Sequence, residues 1–383
     1  MVAAVRAGQS LRAVATQFGV GITTVGHWVQ RAKGQRLDRV DWSDRSHAPH
    51  KTRRTDPSLE DLVLKVRSDL AQSDLGAIGA DAIHQALLEQ GIAPVPALRT
   101  INRILDRRGA LDGRHRVRRP PPPRGWYLPD VAAGRAELDS FDIVEGLVLK
   151  DGPQVEVLNG VSLHGGLVVS WPIVSPVTAE MTVASLTEHW RAVGLPGYAQ
   201  FDNDMIFHGT PRYPDALGRV VRLCLSLEVV PVFVPPRETG FQAMIESYNG
   251  WWQTKVWSRF QHPDLDYLQQ RSDRYVAALR QHRAARIESA PQRRPFPAAW
   301  KLNLKKRPRG QVIFLRRSNG LSEMTLLGQS WPLGQVWPNR LVRCEVDLTK
   351  DKIRFMTLRR KEPTSQPQIL EVDYRLPNRG FQG

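Results

Sequence analysis

Two cysteines in 383 residues, Cys224 and Cys344, at no paired spacing, argue against a disulfide framework or a structural zinc site and point to a reducing compartment. The N-terminus shows no charged, apolar, small-residue progression, and no apolar run approaches about twenty residues, so neither export nor membrane insertion is expected. No fixed period recurs, which argues against a solenoid. His164, His189 and His208 have no zinc spacing and read as structural or surface groups. No phosphate-loop signature occurs, so no nucleotide cofactor is expected for the core chemistry. What is there is ordinary apolar content, 41%, on a chain long enough for two to four domains.

Charge is unevenly distributed. The chain carries a net +16, which divides into +9 over residues 1–128, −6 over 129–262 and +13 over 263–383. Basic flanks suit a polyanion, because phosphate neutralisation and counterion release dominate nucleic-acid affinity. An acidic middle suits cations. Solvated basic faces on an otherwise unremarkable soluble protein give the same totals.

The first segment, 1–40, predicts a helix-turn-helix. Ser10 caps a helix with Leu11, Val14, Ala15 and Phe18 inward, Gly19 closes it, and a second helix over 22–33 turns Val25, Trp28 and Val29 to the same core. Thr23, Thr24, His27, Gln30 and Arg31 then lie on the side that would face a DNA groove. A plain helical hairpin satisfies the same pattern. A second helical unit is expected over 56–112, opened by Asp56-Pro57 and ending in a basic helix with Arg99 and Arg103. The run 113–128, with four consecutive prolines and with Arg116, Arg118 and Arg119, reads as an extended basic linker.

From 129 to 300 the pattern predicts three strands (136–144, 154–162, 165–174), a helix, a strand at 198–202, a helix, a strand at 229–234 and a long helix from 242. That order is the one expected of a ribonuclease-H-like α/β domain with a mixed five-stranded sheet. From 305 to 383, short β runs suggest a separate small β-barrel. Trp251, Trp252 and Trp257 read as core or as base-stacking groups. Lys255 and Arg259 on the same helix read as a phosphate-following pair or as a solvated face.

Three acids stand where apolar stretches meet loops or open a helix: Asp139 on the first strand, Asp202 at the end of the fourth and Glu246 near the start of the long helix. Asp142 and Glu145 are the rivals of Asp139, which is preferred for its deeper place in the strand. Carboxylates converging on one sheet edge suit hard divalent cations, Mg²⁺ or Mn²⁺. Two such ions about 4 Å apart activate an attacking oxygen and stabilise a leaving one in phosphoryl transfer.

Phe-Asp-Asn-Asp (201–204) is similar to the Ser-Asp-Asn-Gly type of segment, and Gln-Ala-Met-Ile-Glu-Ser-Tyr-Asn (242–249) to Gln-Gly-Val-Val-Glu-Ser-x-Asn, of bacterial insertion-sequence transposases with an Asp-Asp-Glu core like that of retroviral integrases. Asp44-Arg45-Ser46-x-x-Pro49 and Gly76-Ala77-x-Gly79 extend the resemblance over residues 1–300. It implies that Asp139, Asp202 and Glu246 bind two metal ions and that the protein cleaves 3′ ends and transfers strands. It also implies double-stranded DNA partners, element ends and target, and at least a dimer, in a bacterial cytoplasm at the nucleoid; it leaves open an accessory ATPase. Asp204 and Ala243 replace the family's glycines, and the stretch between the second and third acids is long. Those departures keep open a decayed or regulatory DNA-binding protein, and a ribonuclease-H-like nuclease shares the metal site.

Overall fold

Ser10 accepts a hydrogen bond from the Ala13 amide and Gly19 adopts φ +63°, so a side-chain cap and a left-handed glycine bound the second helix as expected. The computed structural model describes residues 1–44, 55–111, 124–150, 152–209, 215–238, 240–334, 337–377 and 381. The chain divides into two compact units, Met1–Leu59 and Glu60–Gly383. In the first, α1 (Val2–Arg6), α2 (Leu11–Phe18) and α3 (Ile22–Arg31) bury Val14, Ala15 and Val25. Leu11 and Phe18, expected inward, are 37% and 48% exposed. Three short helices cover only the middle of the apolar stripe on α2.

The second unit takes in α4 (Pro57–Gln72) from Glu60 onward, α5 (Ala80–Glu89) and α6 (Leu98–Arg107), packed around Val63, Val66, Ile83, Leu87, Ile101, Ile104 and Leu105. Asp56 caps α4 through the Ser58 amide at 2.8 Å. Arg67 ties the three ends by donating to the carbonyls of Ile78 and Ala110, both at 2.9 Å.

After α7 (Pro129–Ala132) come β1 (Leu138–Val148), β2 (Gln154–Ser162), β3 (Val168–Val174), α8 (Ala179–Val193), β4 (Tyr198–Phe201), α9 (Met205–His208), α10 (Arg219–Ser226) and β5 (Val230–Phe233). Next are α11 (Ala243–Trp252), a π-helical continuation (Gln253–Trp257), α12 (Leu265–His282) and α13 (Ala284–Glu288). The remainder is β6 (Gln311–Arg317), β7 (Glu323–Leu326), β8 (Gln329–Pro332), β9 (Leu341–Asp347), β10 (Lys352–Thr357) and β11 (Gln368–Asp373). The expected five strands are present with β1 central, β2 antiparallel to it and β3 antiparallel to β2 on one side, and β4 and β5 parallel to it on the other.

Those five strands are not a whole sheet, and the C-terminal strands are not a separate barrel. The sheet has nine strands in the order β11-β10-β9-β6-β5-β4-β1-β2-β3, and only β7 and β8 pair apart from it. An open β5 would leave a row of unpaired backbone groups; β6 pairs with it in parallel through Val232↔Ile313 and Phe233↔Phe314. The rings of Phe201, Phe233 and Phe314 then form one row, with centroids 6.1 and 5.2 Å apart, inside a core that also takes in Val346 and Phe355.

Two further sequence expectations change. Trp126, Tyr127 and Leu128, assigned to the linker, are almost fully buried and pack with Val232, Ile313 and Leu315 on the other face of the sheet. Arg116, Arg118 and Arg119 lie outside the described residues, as does the segment 45–49. Lys255 and Arg259 are turned inward. Lys255 donates to the Gly76 carbonyl at 2.7 Å, and Arg259 to Ser73 and Ala71 at 2.8 and 2.9 Å. They close the carbonyl end of α4, where cations are favoured. Gly76 sits between them at φ +57°, and a Cβ there would stand 3.0 Å from an Arg259 nitrogen, which accounts for the glycine.

Because β6 completes the core, Phe314→Ala is expected to destabilise the whole second unit by about 3–5 kcal/mol. The check is cooperative denaturant unfolding, with loss of one transition for residues 60–383; an independent second transition would restore the separate barrel.

Candidate catalytic site

β1 and β4 run in parallel register through Leu138↔Tyr198, Asp139↔Ala199 and Ser140↔Gln200. Continuing both strands by two residues sets Asp142 beside Asp202. The side-chain period of two puts them on the face that carries Ser140 and Gln200, whose side chains hydrogen-bond each other at 3.3 Å. α11 packs against β1 and β2 on that face and brings Glu246 and, one turn on, Asn249. The Asn249 amide donates to Asp142 at 2.8 Å and accepts from Asn159 of β2 at 2.9 Å, so the Asp142 carboxylate is held from two neighbouring elements. The Asp142 carboxyl is pushed up to about 6, first by burial and then by the charges of Asp202 and Glu246. Asp202 is also raised, by burial and by the carboxylates of Asp204 and Glu145.

Asp139 does not join this group. It lies three residues before Asp142, an odd number, and so on the opposite face of β1. There it is 2% exposed, bound by Arg293 in a bidentate ion pair, one arm at 3.0 Å, and by the Trp190 indole at 3.1 Å. Arg293 also donates to the Gly194 carbonyl. A carboxylate neutralised by a buried guanidinium is a clamp, and here it pins the segment after α13 to the end of α8. Asp139 is thus kept apart from Asp202 and Glu246, whereas its rival Asp142 lies on their face of the sheet. Glu145 is exposed and contributes charge near Asp202.

The glycine replacements have local explanations. Asp204 caps α9, accepting from the Ile206 amide at 2.8 Å; its carboxylate serves the helix end while adding charge near Asp202. Ala243 is an exposed residue in the first turn of α11, a place with no demand for glycine. Asn203 holds the strand end: it donates to the Val234 carbonyl and accepts from Arg316 of β6, both at 2.8 Å. Burial lowers the Arg316 guanidinium to about 10. Sequence reasoning missed Asn249, Asn203 and Arg316. The first two were visible in the Phe-Asp-Asn-Asp and Glu-Ser-Tyr-Asn motifs; the third needed the nine-stranded sheet.

No protein-family model matches this sequence, and no curated protein matches it. Among solved structures the chain is similar to the HTLV-2 integrase catalytic core domain in complex with magnesium, at 15% identity over 38% of this chain and 86% of that one, with a TM-score of 0.29. It is similar as well to a chain of the simian T-cell lymphotropic virus intasome in complex with PP2A regulatory subunit B56 gamma, at 16% identity over 83% and 98%, TM-score 0.34. The catalytic core domain of BIV integrase gives 15% identity over 38% and 83%, TM-score 0.28. At scores of this size the likenesses carry no weight, and the site stands on its own side chains.

The sequence-selected DNA residues divide. Thr23, Thr24, His27 and Gln30 are exposed on α3, and Arg99 and Arg103 on α6. Arg31 is folded back, over the Trp28 ring at 5.0 Å and against Asp41 at 3.4 Å. Lys255 and Arg259 are committed to the carbonyls described above. Of the tryptophans, Trp252 is core and donates to Ser272 at 2.9 Å, Trp257 stacks on His262, and Trp251 is 47% exposed with Arg283 over its ring. His189 and His208 are both lowered to about 4, chiefly by burial, as befits structural histidines. No described helix is long and apolar enough to cross a membrane.

Among the described residues no three His, Cys, Asp or Glu side chains close into a ready-made cation cage. The donor set nonetheless fits a hard divalent ion. Its members are oxygen donors, and among the described residues none of Asp142, Asp202 and Glu246 is ion-paired to Lys or Arg. The Asp142 carboxyl is raised to about 6, first by burial and then by the charge of Asp202. Its folded value lies above its unfolded one, so its ionised form costs stability above about pH 6, and that cost is relieved as pH falls towards about 4. Without divalent ions at about pH 8, Asp142→Asn should therefore stabilise the protein by roughly 1–2 kcal/mol, discounted for remaining solvent, with the gain shrinking near pH 5. Arg293→Met, which strands the Asp139 charge, should cost about 3–5 kcal/mol. Thermal unfolding against pH reads both; a destabilising Asp142→Asn contradicts the assignment.

Proposed function

We propose that this chain is a DNA transposase of the insertion-sequence kind, a metal-dependent polynucleotidyl transferase with Asp142, Asp202 and Glu246 as its acidic triad. One observation carries the reading: Asp142 on β1 and Asp202 at the end of the adjacent parallel β4 lie on one face, under a helix that presents Glu246, and burial, with the charges of Asp202 and Glu246, raises the proton affinity of Asp142. The motif residues Asn203 and Asn249 support it, since each fixes the backbone or carboxylate beside an acid.

The three acids would hold Mg²⁺ or Mn²⁺, which when bound activates the attacking water or 3′-hydroxyl and neutralises the leaving oxygen. The protein's own part is positioning. Asn249 orients Asp142, the Asn203–Arg316 contact sets the end of β4, and the ring row beneath keeps that edge rigid. The segment 1–128 would bind element ends through the exposed faces of α3 and α6, with electrostatic affinity from its net charge of +9. Two ends joined in one complex require at least a dimer. A ribonuclease-H-like nuclease would share the acids, and strand joining separates the two.

The test is cleavage and strand transfer on duplex DNA carrying the terminal repeats, with Mn²⁺. Wild type should nick at the 3′ ends and join them to target. Asp142→Asn, Asp202→Asn and Glu246→Gln should each fall to background while binding DNA normally. An inactive wild type that binds ends tightly would favour the regulatory reading, and activity persisting in the three variants would move the site elsewhere.

A further inference from the structure

Next to the acids the chain builds a surface of opposite charge. A cavity of about 520 Å³ opens where the end of β6, the start of β9 and the segment after β10 meet, and it is lined by Arg317, Trp337, Arg340, Arg359, Arg360 and Lys361 among others. Arg317 pairs with Glu238, and Arg359 with Glu362 at 3.1 Å. Among the described residues Arg340, Arg360 and Lys361 form no ion pair. Trp337 is fixed by its indole, which donates to the Leu341 carbonyl at 3.3 Å, and by its amide, which donates to Ser322 at 2.9 Å. The guanidinium groups of Arg340 and Arg359 lie 5.7 and 5.2 Å from the centre of its ring. A fixed aromatic thus restrains two of the cations in advance, which lowers the entropy lost when they bind an anion.

The register fixes where this cradle lies. Gln200, Val232 and Ile313 are neighbours across β4, β5 and β6, so Asp202 and Arg317, each an even number of residues further on, share one face. All three strands are parallel, so both residues stand at the same end of the sheet. At about 4.8 Å between strands and 3.3 Å per residue, the Arg317 backbone is about 12 Å from Asp202 and about 16 Å from Asp142. The loop that delivers Glu246 runs along the cradle: Glu238 meets Arg317, and Gly240, at φ +86°, lets Arg360 approach so closely that a Cβ would stand 2.8 Å from its guanidinium.

Three carboxylates repel a phosphodiester, and divalent ions offset that only at the reacting phosphate. The remaining attraction must come from cations displaced along the strand, where each phosphate contact releases counterions. We propose that the cradle of Arg340, Arg359, Arg360 and Lys361 around Trp337 grips the phosphate backbone of one DNA strand a few nucleotides from the phosphate at the acids. This rests on the acids being the reaction centre.

The test uses the full chain and a fluorescein-labelled duplex, with binding read by anisotropy over a range of NaCl. The double variants Arg340→Ala/Arg359→Ala and Arg360→Ala/Lys361→Ala should each lower the slope of log affinity against log salt by about 2 and weaken binding at low salt by about tenfold or more. Thermal midpoint and Mn²⁺ binding should stay as in wild type. The exposed Arg360 and Lys361 lie outside the Trp337 stack, so that pair keeps the test valid if the other fails to fold. A photoreactive group on Lys361→Cys should mark DNA within a few nucleotides of the cleaved bond. Unchanged slopes in a folded Arg360→Ala/Lys361→Ala chain, or marks only at remote positions, overturn the cradle. Asp202→Asn should keep the wild-type slope. If wild type never cleaves yet the cradle variants lose slope, the acid-site reading falls and the DNA surface stands.

Discussion

The crowding of the buried Asp142 carboxyl by the charges of Asp202 and Glu246 is the constraint to which the rest of the second unit answers. Three carboxylates can be kept together only on a scaffold that resists their separation and with partners that do not quench them. The scaffold is a parallel pair of strands backed by the row of Phe201, Phe233 and Phe314. The partners are neutral amides: Asn249 on Asp142, and Asn203 holding the backbone next to Asp202. Buried arginines stand close by without pairing to the triad. Arg293 is spent on Asp139 on the far face, and Arg316 on Asn203 and the Val234 carbonyl. The negative charge is left for something from outside the chain.

The same arrangement explains what the sequence could and could not show. The strand carrying the first acid was legible, as were the ends of β4 and the start of α11, because apolar runs bounded by loop residues mark them. Which acid of that strand faces the site was not. Asp139 and Asp142 both sit in good strand sequence, and the choice depends on partners 51 and 154 residues away, Trp190 and Arg293. Parity along the strand separates them only once the register with β4 is known. Lys255 and Arg259 show the same limit, since helical spacing marks them as a basic pair but cannot show that the carbonyls of 71–76 turn towards them.

The C-terminal strands were found as strands and misplaced as a domain. Short β runs after a long helix look the same whether they close on themselves or join an existing edge. What decides is the unpaired edge of β5, a property of the assembled sheet. The joining has a consequence for the site: β6 brings Arg316 beneath Asn203 and Arg317 to the acids' own face, so the basic C-terminal third is built into the edge that carries the acids. The same sheet places Trp126 and Tyr127 over it, which is why the chain leading into the domain is core from residue 126 onward.

The central claim is that face parity on β1 selects Asp142 over Asp139. Mn²⁺ binding to the full-length protein, followed by electron paramagnetic resonance, tests it most directly. Asp142→Asn, Asp202→Asn and Glu246→Gln should each weaken or abolish binding, whereas folded Asp139→Asn should bind as wild type does. Binding that survives Asp142→Asn and is lost in folded Asp139→Asn would contradict the account.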